Sequence, residues 1–335
     1  MYEKYYDLTA PAFQLTPDSR FYFPSRGHAR AVAHLTYGLA QGEGFIVVTG
    51  EVGAGKTTMI EHLLGLLDRE TYAVTRINTT QVSGDDLFRL AMAGFGIEAA
   101  DAGKATLLLR FEDALREHRL SGRRCLLIVD EVQNLSPPAL EELRMLSNIT
   151  EGGRASLQTI LLGQPQFRRT LASPDLDQLR QRVLASYHLG PLTRDETRGY
   201  VLHRLGTVGW RGAPAWDDAA FAAVFDHCGG IPRRINRLCG RVLLYGALEQ
   251  AAAVTGAMVE STAEELAQDL EGGRPAVPGG EVAHIVAGVG FLGDDAADHR
   301  VDEVAALRLR VDALEVQAAR RERLLQRLLT AFGGA

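Results

Sequence analysis

The chain has few of the features that would cross-link it or anchor it. Its 335 residues hold three cysteines, Cys125, Cys228 and Cys239. An odd count without C-x-x-C spacing indicates neither a disulfide framework nor a thiolate zinc site, and reads instead as small buried apolar residues in a reducing compartment. No run of about 18 or more apolar residues occurs, so no membrane span is expected. The opening Met1-Tyr2-Glu3-Lys4-Tyr5-Tyr6-Asp7 lacks the basic start and apolar stretch of a signal peptide, and a cytosolic chain is expected. Positive charge is not in surplus either: 36 Lys and Arg face 42 Asp and Glu, a net charge of -6. That balance supplies no global attraction to nucleic acid or anionic lipid. No internal repeat is found.

What the chain does have is ample core material, 46% hydrophobic residues, arranged in a readable order. Residues 1–25, rich in aromatics and proline, read as an ordered but irregular lead-in, and a helix is expected from about Gly27 to Gln41. Phe45-Ile46-Val47-Val48 and Cys125 to Val129 are unbroken apolar runs, Leu157 to Leu162 reads as a further strand, and Tyr72 to Ile77 alternates. Helices are expected after Lys56 and near 84–95 and 104–120, and a last strand near Ser186 to Leu189. Strands without a polar face, alternating with helices, imply an α/β fold with a parallel sheet covered on both sides. From about Thr193 only helices are expected, over 194–206, 217–228, 232–250 and 257–269. Residues 271–299, with Gly, Pro, Asp and Ala and little periodicity, read as a linker. Val304, Leu307, Val311, Leu314, Ala318, Leu325 and Leu328 then step by threes and fours toward Phe332, interrupted at Arg321, as in a short coiled coil.

The segment Gly50-Glu51-Val52-Gly53-Ala54-Gly55-Lys56-Thr57 fits G-x-x-x-x-G-K-[ST], between an expected strand and an expected helix. Glycines are needed because backbone N–H groups must converge on phosphate oxygens, and the next helix points its positive dipole end at the same anion. Lys56 then reaches the β- and γ-phosphates, and the Thr57 hydroxyl ligates Mg²⁺. Asp130 and Glu131 end the apolar strand 125–129, where a magnesium-holding carboxylate belongs. Glu131 is placed to orient and deprotonate water, or the two acids simply cap a loop. Gln164, after the next apolar strand, either touches the γ-phosphate or attacking water or is a turn residue. Arg180 and Arg182, before the last strand, either reach a neighbouring subunit's nucleotide or line a solvated helix face. Arg233 and Arg234, after Gly229-Gly230-Ile231-Pro232, open a helix of the all-helical region; one of them could fold back onto the phosphates.

Together these motifs resemble the AAA+ superfamily, from about Phe13 through Leu270: a Walker A loop extending to Thr58, a Walker B strand Leu126-Leu127-Ile128-Val129-Asp130-Glu131, a sensor-1-like Gln164, an arginine box at Arg180/Arg182 and a sensor 2 in Gly230-Ile231-Pro232-Arg233-Arg234. The phrases Phe13-Gln14-Leu15-Thr16-Pro17-Asp18, Asp130-Glu131-Val132-Gln133-Asn134-Leu135 and Gly163-Gln164-Pro165 are similar to the general-secretion-pathway protein A (ExeA-like) group. Within it, the nearest branch is the secretion ATPase group associated with exosortase and PEP-CTERM loci and with exopolysaccharide production.

The resemblance implies a P-loop NTPase of the AAA+ type: a five-stranded parallel sheet with a helical lid, ATP between them, and a homo-oligomer in which Arg180 or Arg182 meets the next protomer's γ-phosphate. The expected division is 1–192 for the nucleotide-binding domain, 193–270 for the lid, 271–299 for the linker and 300–332 for the coiled-coil tail. The expected function is Mg²⁺-dependent ATP hydrolysis serving a cell-envelope secretion or polysaccharide machinery, in the cytoplasm and held at the inner membrane only through partners. Two alternatives stand beside it. One is a DNA-acting AAA+ protein like transposition regulators or initiators, less favoured by the negative charge and the lack of a recognisable winged helix. The other is a nucleotide-gated scaffold with negligible turnover.

Overall fold

A computed structural model describes residues 2–78, 83–99 and 102–271. The expected linker and coiled coil lie outside the described residues, apart from Glu271. Five strands form the central sheet: β1 (Phe45–Gly50), β2 (Tyr72–Asn78), β3 (Arg124–Asp130), β4 (Leu157–Gly163) and β5 (Val183–Leu189). All pairings are parallel and the order across the sheet is β2-β3-β4-β1-β5. Every residue of β1 and β4 is buried, which is why neither strand alternates; β4 carries two buried polar residues, Gln158 and Thr159, and the Gln158 amide donates to the Gly38 and Glu43 carbonyls. Full burial of each Val, Leu or Ile there contributes about 1.5–3 kcal/mol. The edge strand β2 keeps exposed positions, hence its alternating pattern.

Helices α1 (Arg26–Gln41), α2 (Lys56–Leu66), α3 (Gly84–Gly94), α4 (Lys104–Leu120) and α5 (Pro137–Leu146) cover the sheet. One apolar layer joins Leu35, Met59 and Ile60 to Ile46, Ile128 and Leu162. The other joins Phe88, Phe111 and Leu140 to Val47, Leu127 and Leu161. Because the strands run parallel, the ends of β1 and β3 share one edge of the sheet. That edge receives both motifs: the glycine-rich loop follows β1, and Asp130 closes β3.

The lid consists of α6 (Arg194–Thr207), α7 (Asp218–Cys228), α8 (Pro232–Leu248) and α9 (Gly256–Glu271). A capping box starts α6: the Thr193 side chain accepts from the Glu196 N–H, and the Glu196 carboxylate accepts from the Thr193 N–H, satisfying two donors the helix would otherwise leave open. Val201, Leu205, Val224, Ile235 and Leu238 form a third core, and Tyr6, Leu8, Phe13 and Phe21 of the lead-in are part of it. The packing therefore differs from the expected division at residue 192. Both sheet faces are already covered by helices, so most of the aromatic lead-in, each ring carrying a large apolar area, finds its partner on the lid helices, while Tyr22 packs against the α1–α2 side of the sheet.

Smaller differences move one boundary and add helices, Pro137–Leu146 and Pro165–Leu171. The last strand begins at Val183 instead of Ser186, since Phe45 of β1 pairs with Val183 and also donates its N–H to the Arg182 carbonyl. Helix α5, not among the expected elements, opens on Pro137 after Ser136. The three cysteines are buried and free. No helix among the described residues is long and apolar enough to cross a membrane.

Candidate active site

The loop between β1 and α2 turns through Gly53 (φ +82) and Gly55 (φ +97), backbone angles that side chains strongly disfavour. Space forbids a side chain as well. A Cβ on Gly53 would lie 2.3 Å from the Cβ of Arg233, and one on Gly55 would lie 2.9 Å from His28 Nε2. His28 is buried; its Nδ1 lies 2.7 Å from Ser25 Oγ. Its pKa is lowered, mainly by burial, so the ring stays neutral beneath the loop.

Lys56 opens α2 and is buried. Its Nζ donates to the carbonyls of Gly50 (2.7 Å) and Glu51 (3.1 Å). Burial pushes its pKa down, opposed by the charges of Glu131, Asp130 and Glu51. Beside it, Thr57 Oγ1 donates to Asp130 Oδ2 at 3.2 Å, bringing together two positions 73 residues apart in sequence. Asp130 is buried; its Oδ1 accepts the Glu131 N–H (3.0 Å) and its Oδ2 also meets Arg76 Nη2 (2.8 Å). Arg76, on β2, reaches Glu61 of α2 at 3.6 Å as well.

Glu131 sits in the left-handed backbone region, φ +54, unusual for a residue with a side chain and a feature that clusters at functional sites. Two amides hold its Oε2: Gln133 Nε2 at 2.5 Å and Gln164 Nε2 at 3.1 Å. Gln133 Oε1 in turn accepts the Gln164 N–H at 2.9 Å. Gln164 is thus brought onto Glu131.

A cavity of about 310 Å³ lies between this edge and the lid, lined by Val52, Gly53, Gly55, Lys56, Thr57, Thr58 and Glu131 on one side and Tyr200, Arg204, Pro232, Arg233 and Asn236 on the other. The N-terminus of α8 faces it, with the Arg233 N–H donating to the Gly53 carbonyl at 3.1 Å. The Arg233 and Arg234 side chains are exposed. The lead-in residues Gln14 to Pro17 close a third side. They are held there by Arg204, buried, whose guanidinium donates to Ala12 O (2.6 Å), Gln14 O (3.2 Å) and Tyr200 Oη (3.0 Å) and lies over the Phe21 ring.

Arg180 and Arg182 are not brought to this cavity. They precede β5, at the end of the sheet opposite the glycine-rich loop. Arg182 Nη1 is committed to Ser147 O (3.0 Å) and Oγ (3.1 Å). Arg180 makes an exposed ion pair with Asp177 and a 3.3 Å bond to Ala172 O, and is the less tightly held of the two. Sequence reasoning missed Arg76, Gln133, His28 and Arg204. For Gln133 a local signal existed, since it follows Glu131 by two residues in the same tight turn. The other three become visible only when distant segments meet.

The residues present fit a nucleotide with a divalent cation. A buried ammonium held by two carbonyls leaves one of its three donors for an anion. Thr57 and Asp130 offer the hard oxygen ligands that Mg²⁺ selects.

Residues 39–171 match the family described as an AAA domain. Over 244 residues the chain is 37% identical to the general secretion pathway protein A of Aeromonas hydrophila, a match covering 73% of this chain and 44% of that protein. The chain thus matches less than half the length of that curated relative. Among solved structures, Cdc6p from Pyrobaculum aerophilum aligns with a TM-score of 0.63 at 16% identity, over 80% of this chain and 75% of that one. The ORC2 protein of Aeropyrum pernix, in ADPNP–ADP complexes, aligns with a TM-score of 0.56 at 16% identity, over 71% and 66%. At such identities the likeness is one of fold. With its five-stranded parallel sheet flanked by helices, the chain has the P-loop AAA+ fold, and residues 39–171 are the part that matches an AAA domain.

Proposed function

We propose that this chain binds ATP with Mg²⁺ and hydrolyses it, coupling turnover to motion of the lid within a homo-oligomer. The observation that carries the reading is the meeting of Lys56, Thr57 and Asp130 at one sheet edge, the last two in direct contact at 3.2 Å, with Glu131 beside them. Bound Mg²⁺ would supply charge neutralisation at the phosphates. Lys56 would turn its Nζ from the loop carbonyls to the phosphate oxygens. Thr57 and Asp130 would present their oxygens to the cation. Glu131 would accept a proton from water, and Gln164, already on its carboxylate, would hold that water in line. Arg233, at the N-terminus of α8, would report the state of the phosphates to the lid, because α8 is the lid element bonded to the loop. Mg²⁺-dependent phosphate release is the test: no release with or without added partners would leave a nucleotide-gated scaffold instead.

Arg76 and a cation compete for the same Asp130 oxygen. Arg76→Ala is therefore expected to lower the Mg²⁺ concentration needed for half-maximal turnover. An ion pair as partly exposed as Arg76's is worth about 0.2–1 kcal/mol, so the shift should be up to about fivefold. A raised Mg²⁺ requirement would show that Arg76 assists the metal site instead.

For a site completed by a neighbour, Arg180→Ala and Arg182→Ala protomers should each be mixed with Glu131→Gln protomers. The protomer lacking the finger is expected to bind ATP normally, hydrolyse poorly alone, and recover phosphate release in the mixture. Arg180 is the freer guanidinium, since exposed ion pairs such as its contact with Asp177 hold weakly. Additive loss without rescue, in samples shown to co-assemble, would rule out an arginine supplied in trans.

The identity to the general secretion pathway protein supports service to an envelope-export machine in preference to DNA. Within that class we assign the chain to exosortase- and PEP-CTERM-linked exopolysaccharide production, acting at the inner face of the membrane through partners. A deletion strain should lose surface polysaccharide and regain it with the parent gene but not with Glu131→Gln. Normal polysaccharide in the deletion strain would remove that assignment.

A further inference from the structure

At the sheet end opposite the P-loop lies a second cavity, about 600 Å³, among the starts of β2 and β3, the residues leading into β4, and the turn that carries α1 into β1. Four arginines line it: Arg119 from the last turn of α4, Arg123 just before β3 and Arg124 at its first position, and Arg154 from the hairpin Thr150–Ala155. The chain is acidic overall, at -6, yet Glu43 is the one carboxylate lining this cavity among the described residues.

Two of the four have structural duties. Arg124 donates Nη1 to Tyr72 Oη (3.0 Å) and Nη2 to the Leu39 carbonyl, and lies over the Tyr72 ring. Arg119 Nη1 donates to the Glu151 carbonyl at 2.6 Å. The Arg123 and Arg154 side chains make no hydrogen bond or ion pair with any described residue. The Gln158 amide N–H groups are committed to the Gly38 and Glu43 carbonyls, which leaves the Arg123 and Arg154 guanidinium groups as the cavity's uncommitted cationic donors. The charge of Arg123 is felt locally: after burial, it is the next cause holding the His118 pKa down.

We infer that this cavity is a second anion site, separate from the P-loop, for a small ligand carrying two or more phosphoryl groups. Guanidinium forks pair bidentately with phosphate oxygens, and four cations, two of them held in place, against one carboxylate call for more than one negative charge. The volume lies in the range of about 300–1,000 Å³ typical of small-molecule sites. A nucleic-acid strand instead follows an open groove with stacking aromatics.

Inorganic tripolyphosphate is the probe, titrated calorimetrically into Lys56→Ala protein and, separately, into parent protein presaturated with Mg²⁺ and ADP. Saturable binding is expected in both. Arg123→Ala combined with Arg154→Ala should weaken it by at least about tenfold, the loss of two charge-assisted contacts. The same pair of substitutions in a chain with Lys56 intact should leave ADP binding at the P-loop unchanged, which also reports that the variant is folded. A parallel ATP titration into Lys56→Ala protein separates the sources: tighter binding than tripolyphosphate assigns a nucleotide, equal binding assigns the phosphate chain alone. Absence of tripolyphosphate binding at low salt, or equal binding by the double variant, would overturn the site. So would an oligonucleotide that engages these arginines where tripolyphosphate does not.

Discussion

Lys56→Ala is expected to abolish tight ATP binding while leaving the apo protein folded. The ammonium is buried and held by the Gly50 and Glu51 carbonyls, and it is the fixed cation the loop itself brings to the β- and γ-phosphates. Truncating one partner of a buried, hydrogen-bonded charge pair typically costs about 2–5 kcal/mol, which is tens to thousands of fold in affinity. Stability should respond differently. Burial depresses the Lys56 pKa below its ordinary value, so at neutral pH the charge itself disfavours the folded apo state. Its removal offsets the two lost hydrogen bonds, and the apo melting temperature should change little. Titration with a fluorescent ATP analogue, paired with a melting curve, reads both quantities. Parent-like affinity in a folded variant would mean that the phosphates sit elsewhere.

Glu131→Gln is expected to keep ATP binding and lose turnover by about 10²–10⁴-fold, the usual range for removing a general base. The amide keeps the shape of the carboxylate and still offers an oxygen to Gln133 and Gln164, both of which reach Glu131 Oε2. It cannot take a proton from water. Nothing in the change strains the backbone further, since Glu and Gln tolerate φ +54 equally poorly. Phosphate release and nucleotide affinity, measured on the same preparation, separate the two effects. Unchanged turnover would exclude Glu131 as the base; loss of affinity would give it a binding role instead.

The sheet strands were legible because a central parallel strand is buried on both faces, a condition that apolar, β-rich runs such as Phe45 to Val48 and Cys125 to Val129 meet without leaving polar side chains to satisfy. The glycine-rich loop was legible for a related reason. Its requirements are local: positive φ at Gly53 and Gly55 and a helix beginning at Lys56. Asp130 and Glu131 followed from their place at a strand end. The aromatic lead-in was harder. Its residues announce burial but not against what, and the boundary expected at residue 192 missed that Phe13 and Phe21 pack into the lid.

The sequence alone thus determined most of the elements and which end of each carries polar chemistry, since periodicity, glycine and capping act over a few neighbouring residues. Tertiary structure alone decided that Arg76 meets Asp130 across 54 positions, that Arg204 ties the lead-in to the lid across 192, and that Arg119, Arg123, Arg124 and Arg154 surround one cavity. Those contacts depend on strand order and register and on how the lid docks. Strand order and docking are settled by the summed packing of whole layers, and no local pattern of side chains encodes them.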